Sequence, residues 1–309
     1  MSRSHKSAVS NEEGGFIIVP VLWILLTLAG LAGVLSVYLA NSAVSLSLND
    51  DRLRSAALVS ASLELTAYEL LSASKPTRPL NGSFVFRLDK AIISVAFSSE
   101  AGRIDLNLAP KELLANFFQV LGSQPADAAQ YADRIVGWRT PQSDDSLESE
   151  NSLYRAAGAR YLPRGAPFSN VLELWLVLGL PPALIERALP FVTVFSGRRD
   201  VNVLDAAPEV VASLPGMSPA LLDSFLKQRQ NLPRDMKSIA EALGPAQTSA
   251  SIQGSDTVRV KTAIEFENGR QALTEVVILL DGGDDPYRIL SWRDDFETPS
   301  VRRQIGKAL

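Results

Sequence analysis

An apolar run close to the amino terminus constrains this chain more than any other feature. No charged residue occurs between Phe16 and Leu48, and the 25 residues from Phe16 to Ala40 are almost all hydrophobic. A helix crosses the hydrocarbon core of a bilayer with roughly 20 residues, whereas the apolar region of a secretory signal peptide has about 7–15. The run therefore predicts a transmembrane helix over residues 16–40. An ordinary single-pass anchor would show the same run.

Charges on either side of the run predict its orientation. Arg3 and Lys6 precede it, while residues 50–54 carry two acidic and two basic side chains and so have no net charge. Basic residues are retained on the cytoplasmic side of a membrane. We therefore expect the short amino terminus in the cytoplasm and everything after about residue 45 on the far side of the membrane.

Composition removes most catalytic chemistries. The 309 residues suggest about two domains, and they include no cysteine and a single histidine, His5. Thiolate nucleophiles, Cys-ligated zinc, Ser-His-Asp triads and His-based metal sites are therefore excluded. Only a carboxylate pair is left, and no spacing singles one out among the 34 acidic residues. The net charge of −4 argues against a general affinity for nucleic acid. We expect a protein that is not an enzyme.

The helical pattern continues beyond the apolar run. Apolar and small residues recur three, four or seven positions apart, which is typical of one face of an amphipathic helix, and Lys75-Pro76 ends the pattern. One helix of roughly 60 residues and about 90 Å is predicted from Phe16 to Ser74. The recurring residues are Leu46, Leu53, Ala56, Ala57, Ser60, Leu63, Ala67, Leu70 and Leu71.

Alternating patterns predict strands on both sides of the middle of the chain. A first hairpin is expected to turn at Asp89-Lys90 and a second at Asn268-Gly269, a strong hairpin signal. Residues 272–280 follow that second turn, and a last strand is expected from Arg288 to Trp292 after a turn at residues 281–286. The alternating residues are Phe84, Phe86, Leu88, Ile93, Val95, Phe97, Val258, Val260, Thr262, Ile264 and Phe266.

The region between these strands is helix-like, with frequent proline and glycine. It contains a weak internal repeat, because residues 104–115 resemble residues 201–212: in both, Asn or Asp and a proline precede a helix with Glu in its first turn. Short helix-turn-helix units are expected around residues 178–181 and 214–218. The predicted fold class is α+β, with a long amino-terminal helix packed on an antiparallel sheet and a large α-helical domain inserted in that sheet.

The start of the apolar run resembles a prepilin signal. A hydrophilic leader ends in Gly14-Gly15, and Phe16 opens the run directly, as in type IV pilins and type II secretion pseudopilins. The resemblance implies that prepilin peptidase cleaves between Gly15 and Phe16 and that Phe16 is N-methylated. The fifth mature residue, usually glutamate in these families, is Pro20. A subunit without that carboxylate is poorly suited to the middle of a filament and better suited to its tip.

Segments further along resemble general secretion pathway protein K, the large minor pseudopilin of the type II secretion system. That resemblance implies a pilin-like sheet with a helical insert, a tip position on the periplasmic pseudopilus, and complexes with minor pseudopilins I and J and other pseudopilins. It places the chain in the bacterial inner membrane as a single-pass protein, with its bulk in the periplasm. The segments that carry the resemblance are Arg103–Pro110, Ala132–Arg139, Gly158–Tyr161, Pro167–Leu174, Phe191–Val194 and Val201–Val203.

This organisation gives six segments. They are a leader at 1–15, the helix at 16–74 with its transmembrane part at 16–40, a first β part at 75–102, the inserted helical domain at 103–254, a second β part at 255–298 and a carboxy-terminal tail at 299–309.

The same resemblance implies calcium, because family members carry a Trp flanked by aspartates and followed by an acidic loop. Around Trp138 this chain has Gly137, Thr140 and Gln142 where carboxylates are expected. Calcium prefers about six to eight oxygen ligands. The candidate ligands that the loop retains are Asp144, Asp145, Glu148 and Glu150. A solvated acidic loop is the alternative.

Two other functions remain open. The Leu214-Pro215-Gly216 turn resembles the hairpin of helix-hairpin-helix modules, whose backbone amides hold a DNA phosphate, and Lys227 and Arg229 follow it. That pattern indicates a membrane-anchored DNA-binding (uptake) protein. A minor pilin of a type IV pilus would share the prepilin start. The acidic composition argues against DNA binding, so no nucleic-acid partner is expected, whereas the sequence does not separate a secretion pseudopilin from a type IV pilus subunit.

Overall fold

The computed structural model describes residues 18–141, 149–280, 283 and 285–295, with the side chains at 40–51, 76 and 295 left aside. The chain divides into two compact units, Met1–Ala57 and Leu58–Leu309. The elements, in chain order, are α1 (Ile18–Ser72), β1 (Asn81–Leu88), β2 (Ala91–Ser99), β3 (Ile104–Asp105), α2 (Lys111–Val120), α3 (Pro125–Arg139), α4 (Glu150–Ala156), α5 (Pro182–Ala188), β4 (Val192–Thr193), β5 (Val201–Asn202), α6 (Pro208–Ala212), α7 (Pro219–Gln228), α8 (Met236–Leu243), β6 (Ala250–Ser251), β7 (Thr257–Phe266), β8 (Gln271–Leu280) and β9 (Tyr287–Asp295). Short 3₁₀ helices lie at Lys75–Thr77, Glu100–Gly102, Val171–Leu176, Leu189–Phe191 and Gly244–Gln247.

Helix α1 is one continuous helix of 55 residues. The sequence predicts a helix from Phe16 to Ser74. Phe16 is outside the described residues, and α1 ends at Ser72, two residues before the predicted end. Within α1, Ile18–Leu39 has a mean hydropathy of 2.4 and is long and apolar enough, by length and composition, to cross a membrane. This segment matches the transmembrane part expected at residues 16–40.

The main sheet has five strands in the order β1-β2-β7-β8-β9, each antiparallel to its neighbours. Both expected hairpins are present. Asp89 and Lys90 have φ of 48° and 62°, the left-handed pair that a two-residue turn of type I′ requires, and Gly269 has φ of 77°. The last strand is longer than expected, since β9 extends from Tyr287 to Asp295 with a bulge at Val277/Ile278 of β8.

The core of the sheet lies between its inner face and the last four turns of α1. Leu63, Ala67 and Leu70 recur at helical spacing and are fully buried, because spacings of three and four place them on one helix face. They belong to one cluster with Ile93 of β2 and Val260 of β7. The amphipathic half of the predicted helix is therefore confirmed as the layer that covers the sheet.

The helical insert separates β2 from β7 in the chain, although these two strands are neighbours in the sheet. Residues Ser99 and Val258 pair across them, so the chain leaves the sheet after β2 and returns to the same place. The insert has its own hydrophobic core, whose largest fully buried residues include Phe117, Phe118 and Phe225. The fold class predicted from the sequence, α+β with a helical insert, is confirmed.

Four strands of two residues each also occur inside the insert, which the sequence did not predict. Strand β3 pairs with β4, and β5 pairs with β6, both in parallel. Two residues are too few to show a period of two in a sequence. Strands β3 and β4 lie at the beginning and the end of the first half of the insert, and β5 and β6 at the beginning and the end of the second half. Each parallel pair therefore joins the two ends of its half.

Candidate functional site

The residues expected to act in processing and assembly lie at the start of the chain. Gly15 and Phe16, the expected cleavage and methylation positions, are outside the described residues. Pro20 is described and lies in the first turn of α1 as the structure gives it, where a proline is tolerated because the first N–H groups of a helix have no intrahelical acceptor. The side chains around Pro20 are exposed and apolar, as Ile18 and Leu22 show.

The internal repeat of the insert is confirmed as a repeated turn. The side chain of Asp105 accepts a hydrogen bond from Asn107 N at 2.8 Å, and the side chain of Asn202 accepts one from Leu204 N at 3.0 Å. Such local bonds stabilise turns that lead into a helix. The carbonyl of each turn residue also accepts a bond from the alanine four residues later, at 2.8 Å and 2.9 Å. The chain thus enters α2 and α6 in the same way.

In the structure each copy of the repeat also binds an arginine that lies outside the two similar segments, residues 104–115 and 201–212. Arg139, at the end of α3, donates to the carbonyls of Leu106 and Ala109, the second at 2.8 Å. Arg229, which caps α7, donates to the carbonyl of Ala206 at 2.6 Å. Each arginine ties the end of one helix to the turn that opens its half of the insert. The helices of the two halves differ in length, so these arginines stand at different offsets from the turns and no fixed spacing reveals them.

The Leu214-Pro215-Gly216 hairpin, which suggested DNA binding, makes its close contacts within the chain. A Cβ at Gly216 would lie 3.1 Å from the carbonyl oxygen of Pro245, so the hairpin packs closely against the segment after α8. Of the two cations expected near a phosphate, Lys227 pairs with Asp223 at 2.6 Å, and Arg229 is bound to backbone carbonyls. These contacts give no support to the DNA-binding alternative.

A buried ionic cluster connects the insert to the sheet. Glu100, in the 3₁₀ helix after β2, is fully buried and accepts hydrogen bonds from Arg259 Nε and Nη2 at 2.8 Å and 3.0 Å. Arg259 also donates to Glu275 of β8, and Thr193 of β4 donates to Glu100. Burial by itself would lower the pKa of Arg259, but Glu100 and Glu275 together raise it above its usual range. The guanidinium is therefore charged and joins three elements.

A second contact between sheet and insert lies at Asp205. Asn81 of β1 donates a hydrogen bond to Asp205, beside Gly102, where a Cβ would lie 3.3 Å from the Asp205 carboxylate. Burial raises the pKa of Asp205, opposed by the hydrogen bond from Asn81 and by Arg229 and Arg103. Sheet and insert are thus joined at two separate places by polar contacts that the sequence did not indicate.

The expected calcium ligands are only partly within the described residues. Asp144, Asp145 and Glu148 lie outside them. Glu150 is described, and its Oε2 lies 2.9 Å from Nη1 of Arg134. Among the residues that the structure describes, no group of three or more His, Cys, Asp or Glu side chains is arranged to hold a metal ion. Because three of the four expected ligands lie outside the described residues, calcium binding by this set stays a prediction.

Trp138 lies in an aromatic cluster beside Glu150. Its ring is near those of Tyr154, Tyr161 and Phe168, with centroids 6.1–6.5 Å away, and its Nε1 donates to Glu173 Oε2 at 3.0 Å. Trp138 lies in a recognisable motif of the sequence, whereas its partner Glu173, 35 residues away, was not predicted to contact it. Local pattern gives no signal for such a distant partner.

The fold of this chain is similar to that of a protein of known structure. A chain of the crystal structure of the GspK-GspI-GspJ complex from the enterotoxigenic Escherichia coli Type 2 Secretion System superposes with a TM-score of 0.63 at 18% identity, covering 82% of this chain and 99% of that chain. The fold, a long helix with an antiparallel sheet and a helical insert, is therefore similar to that of the chain in this complex.

The amino-acid sequence is similar to that of one type II secretion protein family. Residues 97–197 match the family model described as Type II secretion system (T2SS), protein K. Type II secretion system protein K of Klebsiella pneumoniae is 26% identical over 172 residues, which are 55% of this chain and 52% of that protein. The match thus spans about half the length of that curated relative. Residues 97–197 are thus similar to the type II secretion system protein K family, and the resemblance noted from the motifs is confirmed.

Proposed function

We propose that this chain is a minor pseudopilin at the tip of a type II secretion pseudopilus. The observation that carries the proposal is the match of residues 97–197 to the protein K family, on a fold shared over most of the chain with a subunit of the GspK-GspI-GspJ complex. Its role there is structural: it helps to nucleate the filament that exports folded proteins across the outer membrane. The absence of cysteine and the single histidine in the sequence support a role that is not enzymatic.

The membrane part supports anchoring in the inner membrane. Ile18–Leu39 has the length and hydropathy of a membrane span, and the charges around it favour a cytoplasmic amino terminus with the bulk in the periplasm. Cleavage after Gly15 and methylation of Phe16 would leave the anchor in the mature protein. Pro20 then stands where shaft subunits carry a carboxylate, and a subunit without it is suited to the end of the filament.

The head supports the tip position through its bulk. We propose residues 103–254 as the inserted domain and residues 75–102 with 255–298 as the pseudopilin sheet. The ionic cluster around Glu100 and the bond between Asn81 and Asp205 fix the insert to the sheet. A rigidly held insert adds volume that obstructs the stacking of another subunit on the same end.

Partner binding is proposed through the part of α1 that lies beside the sheet. Leu65 and Tyr68 are one helical turn apart, and both are exposed although α1 buries Leu63 and Ala67 against the sheet. Apolar residues at spacings of three on an unburied helix face suit packing against another helix. We propose that minor pseudopilins I and J bind this face.

Processing and complex formation together test the proposal. The tagged full-length chain is expressed with prepilin peptidase and minor pseudopilins I and J, purified in detergent, and its first residue is determined. We expect Phe16 as the first residue and co-purification of I and J. The variant Gly15→Asp is expected to remain as the full-length precursor. A mature protein that starts at residue 1 or 2 would contradict the prepilin interpretation, and a processed protein that binds neither I nor J would contradict the proposed role.

A further inference from the structure

Glu150 is a buried carboxylate held by an arginine of the chain. It opens α4, is only 7% exposed, and lies 2.9 Å from Arg134 Nη1, whose side chain on α3 is largely buried too. A negative charge in the first turn of a helix is favourable, but a carboxylate this far from water also needs a cation close by. The Arg134 guanidinium supplies that positive charge.

Gly137 provides the space for this pair. It lies three residues after Arg134 on α3, and a Cβ built on it would be 2.6 Å from both Cδ and Oε2 of Glu150. Non-bonded carbon atoms are at their optimum about 3.5–4.0 Å apart. A side chain at position 137, including the carboxylate that the family resemblance leads one to expect there, would displace Glu150. The space that a side chain at position 137 would need is therefore taken by Glu150, which pairs with Arg134.

Glu173, the second carboxylate near Trp138, accepts hydrogen bonds from several donors of the chain. Oε1 of Glu173 accepts bonds from the backbone N and the hydroxyl of Ser169, at 3.0 Å and 2.6 Å, and lies 3.2 Å from Arg164 Nη1. Its Oε2 accepts the bond from Trp138. Burial would raise the pKa of Glu173, but the bonds from Ser169 and Trp138 and the charge of Arg164 hold it below its usual range.

The described residues around Trp138 do not offer the donor set that calcium takes. A calcium ion takes about six to eight oxygen ligands, several of them carboxylates. Of the described residues around Trp138, Glu150 and Glu173 offer carboxylates, and each is paired with an arginine. A divalent cation beside either carboxylate would be repelled by the guanidinium that already lies there.

We propose that Arg134 and Arg164 take the place of a divalent cation beside Trp138, so that the packing of α3, α4 and residues 164–173 is held without calcium. The inference concerns the stability of the insert and does not rest on the proposed function.

Calcium itself is the first probe. The full chain, purified in detergent, is heated in millimolar calcium chloride and in an excess of chelator, and unfolding is followed by near-ultraviolet circular dichroism. We expect the same midpoint in both. A midpoint that rises with calcium concentration would overturn the proposal, because ligand that binds only the folded state must stabilise it.

The arginine is the second probe. Arg134→Gln removes the guanidinium that lies beside the buried Glu150 and is expected to lower the midpoint by about 10 °C. Lys111→Gln is the matched control, because Lys111 pairs with Asp133, the neighbour of Arg134, with both side chains about half exposed; a change of about 2 °C or less is expected. Equal effects of the two substitutions would overturn the proposal.

A sign reversal at Gly137 is the third probe. Gly137→Ala should lower the midpoint in the wild-type chain, because the new Cβ displaces Glu150. In the Glu150→Ala background the same substitution should raise the midpoint, because alanine is the better helix former and the carboxylate is gone. Stabilisation by Gly137→Ala in both backgrounds would show that Glu150 does not occupy the space above Gly137.

Discussion

Glu100 and Arg259 form two hydrogen bonds, at 2.8 Å and 3.0 Å, although they are 159 residues apart in the chain. Glu100 lies where the chain leaves the sheet after β2, and Arg259 lies on β7, where the chain has returned to it. The pair therefore closes the insertion point of the helical domain. Because Glu100 is fully buried, its hydrogen bonds come from Arg259 and Thr193 of the chain.

Breaking this pair should destabilise the protein strongly. Glu100→Gln leaves the Arg259 charge with Glu275 alone, and removing one member of a buried pair typically costs about 3–5 kcal/mol. The free energy of unfolding is to be measured by urea denaturation of the full chain in detergent. Glu267→Gln is the control, since Glu267 and Lys90 form a pair at 3.8 Å with both side chains exposed, and it should change stability by about 0–1 kcal/mol. Similar costs for both variants would show that the buried pair does not fix the insert.

The two arginines of the repeat should have similar effects. Arg139→Met and Arg229→Met each remove bonds to buried carbonyls at the start of one half of the insert, and each is expected to cost about 1–3 kcal/mol. Arg187→Met is the control, because Arg187 donates to the carbonyl of Ala183 within α5 but is exposed, so its loss should cost about 0.5 kcal/mol or less. The measurement is urea denaturation. A large loss for one repeat arginine and none for the other would contradict their equivalence.

Tyr154 should make the protein sensitive to alkali. Its ring is buried, its hydroxyl accepts a bond from Leu178 N at 2.8 Å, and burial raises its pKa from 10.0 to about 12. Since the unfolded chain loses this proton at lower pH than the folded one, stability is intact below about pH 10 and falls as the pH rises towards 12. Tyr154→Phe should lose less stability over that range than the wild type. Parallel pH profiles for the two would show that Tyr154 does not ionise differently on unfolding.

Pro20 should not by itself set the position in the filament. Under the proposed tip role, Pro20→Glu restores the carboxylate expected at the fifth mature position, while the inserted domain that is proposed to obstruct stacking is unchanged. We expect the variant to stay at the filament end, as shown by immunogold labelling of assembled pseudopili. Frequent labelling along the shaft would show that Pro20 alone had enforced the tip position.

Much of this fold could be predicted from the sequence because it depends on local periodicity. The apolar run specifies α1, the alternation around Asp89-Lys90 and Asn268-Gly269 specifies two hairpins, and the repeated Asp105 and Asn202 turns open the two halves of the insert. Each of these signals lies within about 30 residues, where hydrophobic spacing and turn chemistry decide the backbone.

Contacts between distant residues were decided by the tertiary structure alone. The pairing of β2 with β7, the bonds from Arg259 to Glu100, and the position of Arg134 against Glu150 depend on how the insert folds back onto the chain. A charged residue in a sequence looks the same whether it is solvated or buried, because burial is a property of the packed chain. The sequence by itself determined the long apolar helix, the hairpins and the absence of cysteine, whereas the packed fold decided which charged residues pair to hold the insert on the sheet.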